Sequence, residues 1–267
     1  VITESVVRTP GLTLHARSAG TGELVLLLHG ITAGAVVWDP VVEVLARDHR
    51  CVAIDQRGHG RSDKPAVGYA AADYVADVAA VLDALGPARA VVGHSLGARN
   101  AILAGAAMPG RIGAVVAVEY AAGIEPEVFE RLRADRSSGE GYLPDDDAVR
   151  AAVRARSPLL PDDAVERRVR HLYAPGADGV VPLASPSAVQ QTADAMDVDL
   201  TGALRDATVP VLLVRGEESR FVSRTAFASS LGLRPGLQGA VVPGTDHFVP
   251  EEAPDEVAAL VRELLGG

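Results

Sequence analysis

The chain has 267 residues, 48 % of them hydrophobic and 22 % charged, with a formal net charge of −10. That length and balance suit one sizeable soluble core. The acidic charge argues against nucleic acid and anionic membrane surfaces as partners, because both select a basic face.

The first element predicted is a hairpin at a sheet edge, from Val6-Val7 and Leu12 to Ala16 around Pro10-Gly11. Leu24 to Leu28 (LVLLL) and Val52 to Ile54 come next as Val/Leu-rich runs without alternation, the pattern of strands covered on both faces. Cys51, the single cysteine, opens the second run; it rules out an intramolecular disulfide and reads as a packed thiol, not a nucleophile. Tyr74, Val78, Val81, Leu82 and Leu85 recur at helical spacing, and Gly86-Pro87 stops that helix. Strand-like Ala90 to Val92 leads into a helical stretch from Gly97, and Ile112 to Val118 is the next strand. Residues 121–207 break the rhythm with acidic, arginine-rich helical stretches (Val128 to Arg136, Asp146 to Arg156, Asp163 to Leu172), read as a helical lid inserted between two strands. Val209 to Val214 and Ala240 to Val242 resume the strands, and Glu251 to Leu265 is a closing amphipathic helix before Gly266-Gly267. Strand–helix alternation predicts an α/β fold with a parallel sheet between helices. There is no charged-then-apolar leader, and no apolar run approaches the ~18 residues of a membrane span, so the sequence reads as cytoplasmic.

Gly93-His94-Ser95-Leu96-Gly97 carries the chemistry. It matches G-x-S-x-G, sits after a predicted strand and opens a predicted helix. A sharp strand-to-helix turn needs glycine on either side for steric room. It presents Ser95 at a helix N-terminus, where free N–H groups favour developing negative charge. His29-Gly30, after LVLLL, is a second turn; the backbone N–H of Ile31 beyond it can share an oxyanion with that of Leu96. Of seven histidines, His247 alone lies on a loop at the C-terminal end of a predicted strand, where a parallel sheet gathers its catalytic groups. It is the candidate general base. No phosphate-binding or zinc-type motif is present, and no metal or organic cofactor is expected.

Taken in order, His29-Gly30, Asp55-Gln56-Arg57-Gly58-His59-Gly60-Arg61-Ser62, GHSLG at 93–97 and Asp246-His247-Phe248 resemble the α/β-hydrolase superfamily over nearly the whole chain. The resemblance implies an eight-stranded, mostly parallel sheet, with core 1–120 plus 208–267 and a helical cap, 121–207, after strand six. It gives Arg57, His59 and Ser62 a structural role beside the pocket. The family's usual acid, an Asp three residues beyond the strand-end glycine, is replaced here by Ser219. Some relatives, haloalkane dehalogenases among them, place the acid where this chain has Glu119, so the resemblance points to Glu119, with Glu218 as rival. A serine nucleophile counts against dehalogenase and epoxide hydrolase chemistry. The expectation is cleavage of an ester or lactone of a small molecule through an acyl-enzyme. Amide or carbon–carbon cleavage and a non-catalytic receptor are the alternatives. The substrate and the oligomeric state stay open; the few aromatic residues suggest an aliphatic pocket.

Overall fold

The computed structural model describes residues 1–137 and 143–266; residues 138–142 of the expected insertion and Gly267 lie outside the described residues. The sheet strands are β1 (Thr3–Arg8), β2 (Thr13–Ala19), β3 (Leu24–Leu28), β4 (Arg50–Ile54), β5 (Ala88–His94) and β6 (Val115–Val118). A hairpin of β7 (Tyr173–Gly176) and β8 (Gly179–Pro182) stands apart, and β9 (Val211–Gly216) and β10 (Gln238–Val242) complete the sheet. The eight sheet strands run in the order β1-β2-β4-β3-β5-β6-β9-β10. β1 and β2 are antiparallel to their neighbours, and all pairings from β4 to β10 are parallel. This is the α/β-hydrolase fold, a mostly parallel sheet flanked by helices.

The unalternating apolar runs result from burial on both faces. Leu24, Leu26 and Leu28 of β3 enter one core cluster and Val25 and Leu27 the other. β6 and β9 divide in the same way, Val115 and Leu213 on one side, Val116 and Leu212 on the other. A 3-10 turn, Ala35–Trp38, leads into α1 (Asp39–Leu45). Helices α2 (Ala71–Leu85) and α3 (Leu96–Ala107) cover the first face, while α1 covers the second. Between β6 and β9 the chain forms α4 (Pro126–Ser137), α5 (Asp146–Arg156), α6 (Asp162–Leu172), the β7–β8 hairpin, α7 (Pro186–Asp194) and α8 (Thr201–Asp206). α5 and α6 hold a small core of their own, with Val149, Val153, Ala164, Val165 and Val169 buried. After β9 come α9 (Arg224–Leu231), α10 (Val249–Glu252) and α11 (Pro254–Leu265), the last packed beside α1 on the second face.

Three local readings change. The closing helix is two, because Pro254 lacks an N–H and Ala253 turns to φ −142°, which separates α10 from α11. Ile112 makes only an isolated bridge to Ala88, so β6 starts at Val115. The β7–β8 hairpin and the helices α7 and α8 were invisible in the sequence, being short and weakly apolar. Cys51 is buried, and burial pushes its thiol up to about 12, which makes it inert. Among the described residues no helix is long and apolar enough to cross a membrane.

Candidate active site

The site forms where adjacent parallel strands end. β5 stops at His94 and α3 starts at Leu96, so Ser95 alone makes the turn, at φ 50° and ψ −112°. Among the described residues, the non-glycine residues with positive φ are Thr32, Ser95 and Glu119. Such backbones cost about 1–3 kcal/mol each and persist where the surroundings over-determine them. Here the sheet ladder supplies that constraint, because Ser95 N–H donates to Val118 O (2.8 Å) and Glu119 N–H to Val214 O (2.8 Å). The turn also needs bare backbone. A Cβ on Gly97 would stand 2.1 Å from Leu28 O, and one on Gly93 2.1 Å from Gly97 O.

Glu119 comes directly after β6 and is fully buried. Its Oε1 accepts the Gly216 N–H at 2.7 Å, and its Oε2 accepts the Ser219 hydroxyl at 2.6 Å and His247 Nδ1 at 3.0 Å. A carboxylate can only accept, so His247 donates from Nδ1, and in the neutral imidazole that tautomer makes Nε2 the acceptor. The rival Glu218 is exposed. Ser219 stands at the family's usual acid position and supplies a hydroxyl to Glu119 in place of a carboxylate. Gly216 lets the histidine loop lie on the end of β9, since a Cβ there would meet Asp246 O at 2.1 Å.

The elbow and the histidine loop are joined through His94, whose Nε2–H donates to the His247 carbonyl at 2.7 Å. Burial holds His94 well below the usual imidazole range, so it stays neutral. Among the described residues no hydrogen bond joins Ser95 Oγ to His247; this contact is often open in unliganded sites. The turn at His29-Gly30 packs on the elbow, for a Cβ on Gly30 would lie 3.4 Å from that of Ser95. His29 holds this turn: Nδ1–H donates to Gly30 O (2.7 Å) and Nε2 accepts Gln56 N–H (2.9 Å). The first turn of a helix leaves its leading N–H groups without intrahelical acceptors. Neither Leu96 nor Ile31 donates its N–H to a protein acceptor among the described residues. Asp55 anchors the rest of this loop through Ala35 N–H at 2.6 Å. Burial pushes its carboxyl up, but the His15 hydrogen bond and further donors outweigh that and hold it at about 2. Arg57 forks onto Asp77, and Ser62 Oγ donates to Asp55 O, both as structural ties.

The side chains packed against the imidazole are aromatic. The chain has four phenylalanines, and three of them gather at this site. Phe221 lies 4.7 Å and Phe248 5.2 Å from His247, ring centroid to ring centroid, with Tyr120 and Phe129 behind Phe221. Among the described residues, no group of three or more His, Cys, Asp or Glu side chains is placed to hold a metal ion.

A model of the alpha/beta hydrolase family matches residues 25–260. The chain belongs to that family. It is 44 % identical over 245 residues to 2-(acetamidomethylene)succinate hydrolase of Mesorhizobium japonicum, covering 91 % of this chain and 88 % of the relative. It is 26 % identical over 250 residues to a putative 2-succinyl-6-hydroxy-2,4-cyclohexadiene-1-carboxylate synthase of Bacillus subtilis, covering 91 % and 90 %. The crystal structure of E-2-(acetamidomethylene)succinate hydrolase superposes with a TM-score of 0.95 at 40 % identity over 100 % of both chains. A thioesterase domain from the curacin biosynthetic pathway, at 22 % identity and TM-score 0.83 over 98 % and 99 %, shares the fold. Within this hydrolase family, the relatives support a hydrolase acting on a small molecule.

Proposed function

We propose that this chain is a serine hydrolase that cleaves the acyl–nitrogen bond of a small N-acylated carboxylic acid through an acyl-enzyme. The observation that carries the chemistry is His247 Nδ1 on the buried Glu119 beside a serine held at positive φ. In this reading His247 Nε2 takes the proton from Ser95 Oγ as it attacks the carbonyl. The N–H groups of Leu96 and Ile31 receive the oxyanion, and Glu119 balances the imidazolium. The imidazolium then protonates the departing nitrogen, and His247 activates water to release the acid.

The choice of bond rests on the relative at 44 % identity, whose name specifies an acetamido group on an unsaturated succinate. The ester or lactone cleavage expected from the residues runs on the same atoms, which makes an activated acetyl ester a convenient reporter. Residues 121–207 act as the cap in this reading: Phe129 of α4 packs on Phe221, and the Tyr120 hydroxyl donates to Met196 O at 2.6 Å. The test is acetate release from a panel of N-acetyl enamides, saturated amides, esters and lactones, with Ser95→Ala beside the wild type. Ser95→Ala should lose activity on the order of 10⁶-fold with an unchanged melt. Turnover by Ser95→Ala above a few per cent of wild type would end the serine mechanism; preference for lactones over every amide would return the bond to the ester class.

A further inference from the structure

One buried ion pair connects the insertion to the histidine loop. Arg168 of α6 is 6 % exposed and Glu251 of α10 is 4 % exposed. Arg168 Nε lies 3.1 Å from both carboxylate oxygens, and Nη2 also bonds Oε2. Its Cζ stands 4.7 Å from the centroid of Phe248. Phe248 meets the His247 ring edge-on, and its carbonyl accepts the N–H groups of Glu251 (2.9 Å) and Glu252 (3.0 Å). Three other ties hold the preceding backbone: buried His94 on His247 O, exposed Glu217 on Gly244 N–H, and Glu252 of α10 on Asp246 N–H. Arg168 holds the next segment of chain, the Phe248 ring and the first turn of α10.

Other arginine pairs of the insertion, Arg150–Glu166, Arg154–Asp162 and Arg167–Asp163, have partners at least one-third exposed, where such pairs contribute little. A buried pair is no stronger a glue than apolar side chains of the same volume. What a planar guanidinium adds is direction, since it forks onto a carboxylate while stacking on a ring. We infer that Arg168 is a positioning residue: through Glu251 and Phe248 it sets the orientation of the His247 imidazole and couples the placement of α6 to the base. The inference rests on the reading of His247 as general base.

The experiment measures kcat and KM for an activated acetyl ester, the melting temperature, and the proton resonance of the His247 Nδ1–H···Glu119 hydrogen bond. Arg168→Met keeps bulk over Phe248 but removes the fork. Its kcat should fall ~10- to 100-fold while KM moves less than about threefold, because a base displaced by ~1 Å can cost 10²-fold with substrate contacts intact. The Nδ1 proton resonance should broaden. Arg168→Met/Glu251→Met leaves no unpaired buried charge, so its melting temperature should recover while kcat stays at least about tenfold down, and it serves equally if the single variant does not fold. Arg150→Met, which breaks an outer pair of the same insertion, should keep kcat within about twofold. Recovery of kcat together with the melting temperature in the double variant would overturn the inference, as would a folded Arg168→Met with wild-type kcat. A wild type that takes no fluorophosphonate label on Ser95 would instead sink the underlying site reading; intact labelling with an unmoved kcat in Arg168→Met sinks this inference alone.

Discussion

Replacing Glu119 by Gln tests the site where the geometry is most demanding. The change keeps size and removes charge, but it also turns one acceptor oxygen into a donor NH₂. Oε1 of Glu119 serves the backbone N–H of Gly216, which is buried and costly to leave unpaired. The amide oxygen should therefore stay on Gly216 and direct its NH₂ at Ser219 Oγ and His247 Nδ1. Ser219 Oγ already accepts the N–H groups of Val222 (3.0 Å) and Phe221 (3.3 Å), so it is poorly free to accept a third. His247 would have to move its proton to Nε2 to accept from the new NH₂, which is the wrong tautomer for a base. The corresponding change in a serine protease costs about 10⁴ in kcat, and ~10² to 10⁴ is expected here, or about 3–5 kcal/mol of barrier. Loss of the charged acceptor should also lower stability by ~1–3 kcal/mol. The assay is kcat for an activated acetyl ester with Glu119→Gln, Glu217→Gln and Glu218→Gln, alongside urea unfolding. Glu217 and Glu218 are exposed, and each of their variants should cost less than about tenfold, since solvent and salt screen both charges. A near-wild-type Glu119→Gln beside a crippled Glu218→Gln would refute the reasoning.

Two further outcomes bear on the frame around the site. Gly97→Ala should destabilise the fold by about 3 kcal/mol or more, because its Cβ would sit 2.1 Å from a strand carbonyl, whereas Gly202→Ala in α8, with nothing within 4 Å, should change stability by no more than about 1 kcal/mol; urea midpoints of the two separate a clash from simple helix propensity. Glu252 is pushed up to about 7, first by burial and then by Asp246 and Glu251, against the pull of the Asp246 N–H bond and His247. A carboxyl raised on folding contributes stability below its unfolded value, near 4.5, that is lost as pH rises through about 7. Glu252→Gln, which imitates the protonated form, should raise the melting temperature more at pH 8 than at pH 5; an equal shift at both would show that the carboxyl does not titrate in that window.

The sheet was legible because a strand covered on both faces can only be an unbroken apolar run, as Leu24 to Leu28 and Val211 to Val214 are. The nucleophile turn was legible for an equally local reason: the steric limits that put glycine at 93 and 97 act within five residues. The break between α10 and α11 was written locally in Pro254, but the apolar stripe that continues from Val249 to Leu265 across it masked that signal. Nor did it carry the short β7–β8 hairpin, whose residues are only half-buried. At the site, local pattern could name Ser95 and His247, and the family resemblance pointed to Glu119 over Glu218, but neither said what each touches. The bond between Glu119 and His247 spans 128 positions, that between Ser219 and Glu119 spans 100, and the Arg168–Glu251 pair spans 83. Those meetings depend on strand order, on the parallel ends of β5, β6 and β9, and on α6 folding back over the histidine loop. The same holds for the aromatic cluster: a composition with few rings says nothing of where they collect, and packing across separate elements set Phe221 and Phe248 against one imidazole with Tyr120 and Phe129 behind Phe221. Residue type and short-range sterics determined the elements; non-local closure of the chain decided their partners.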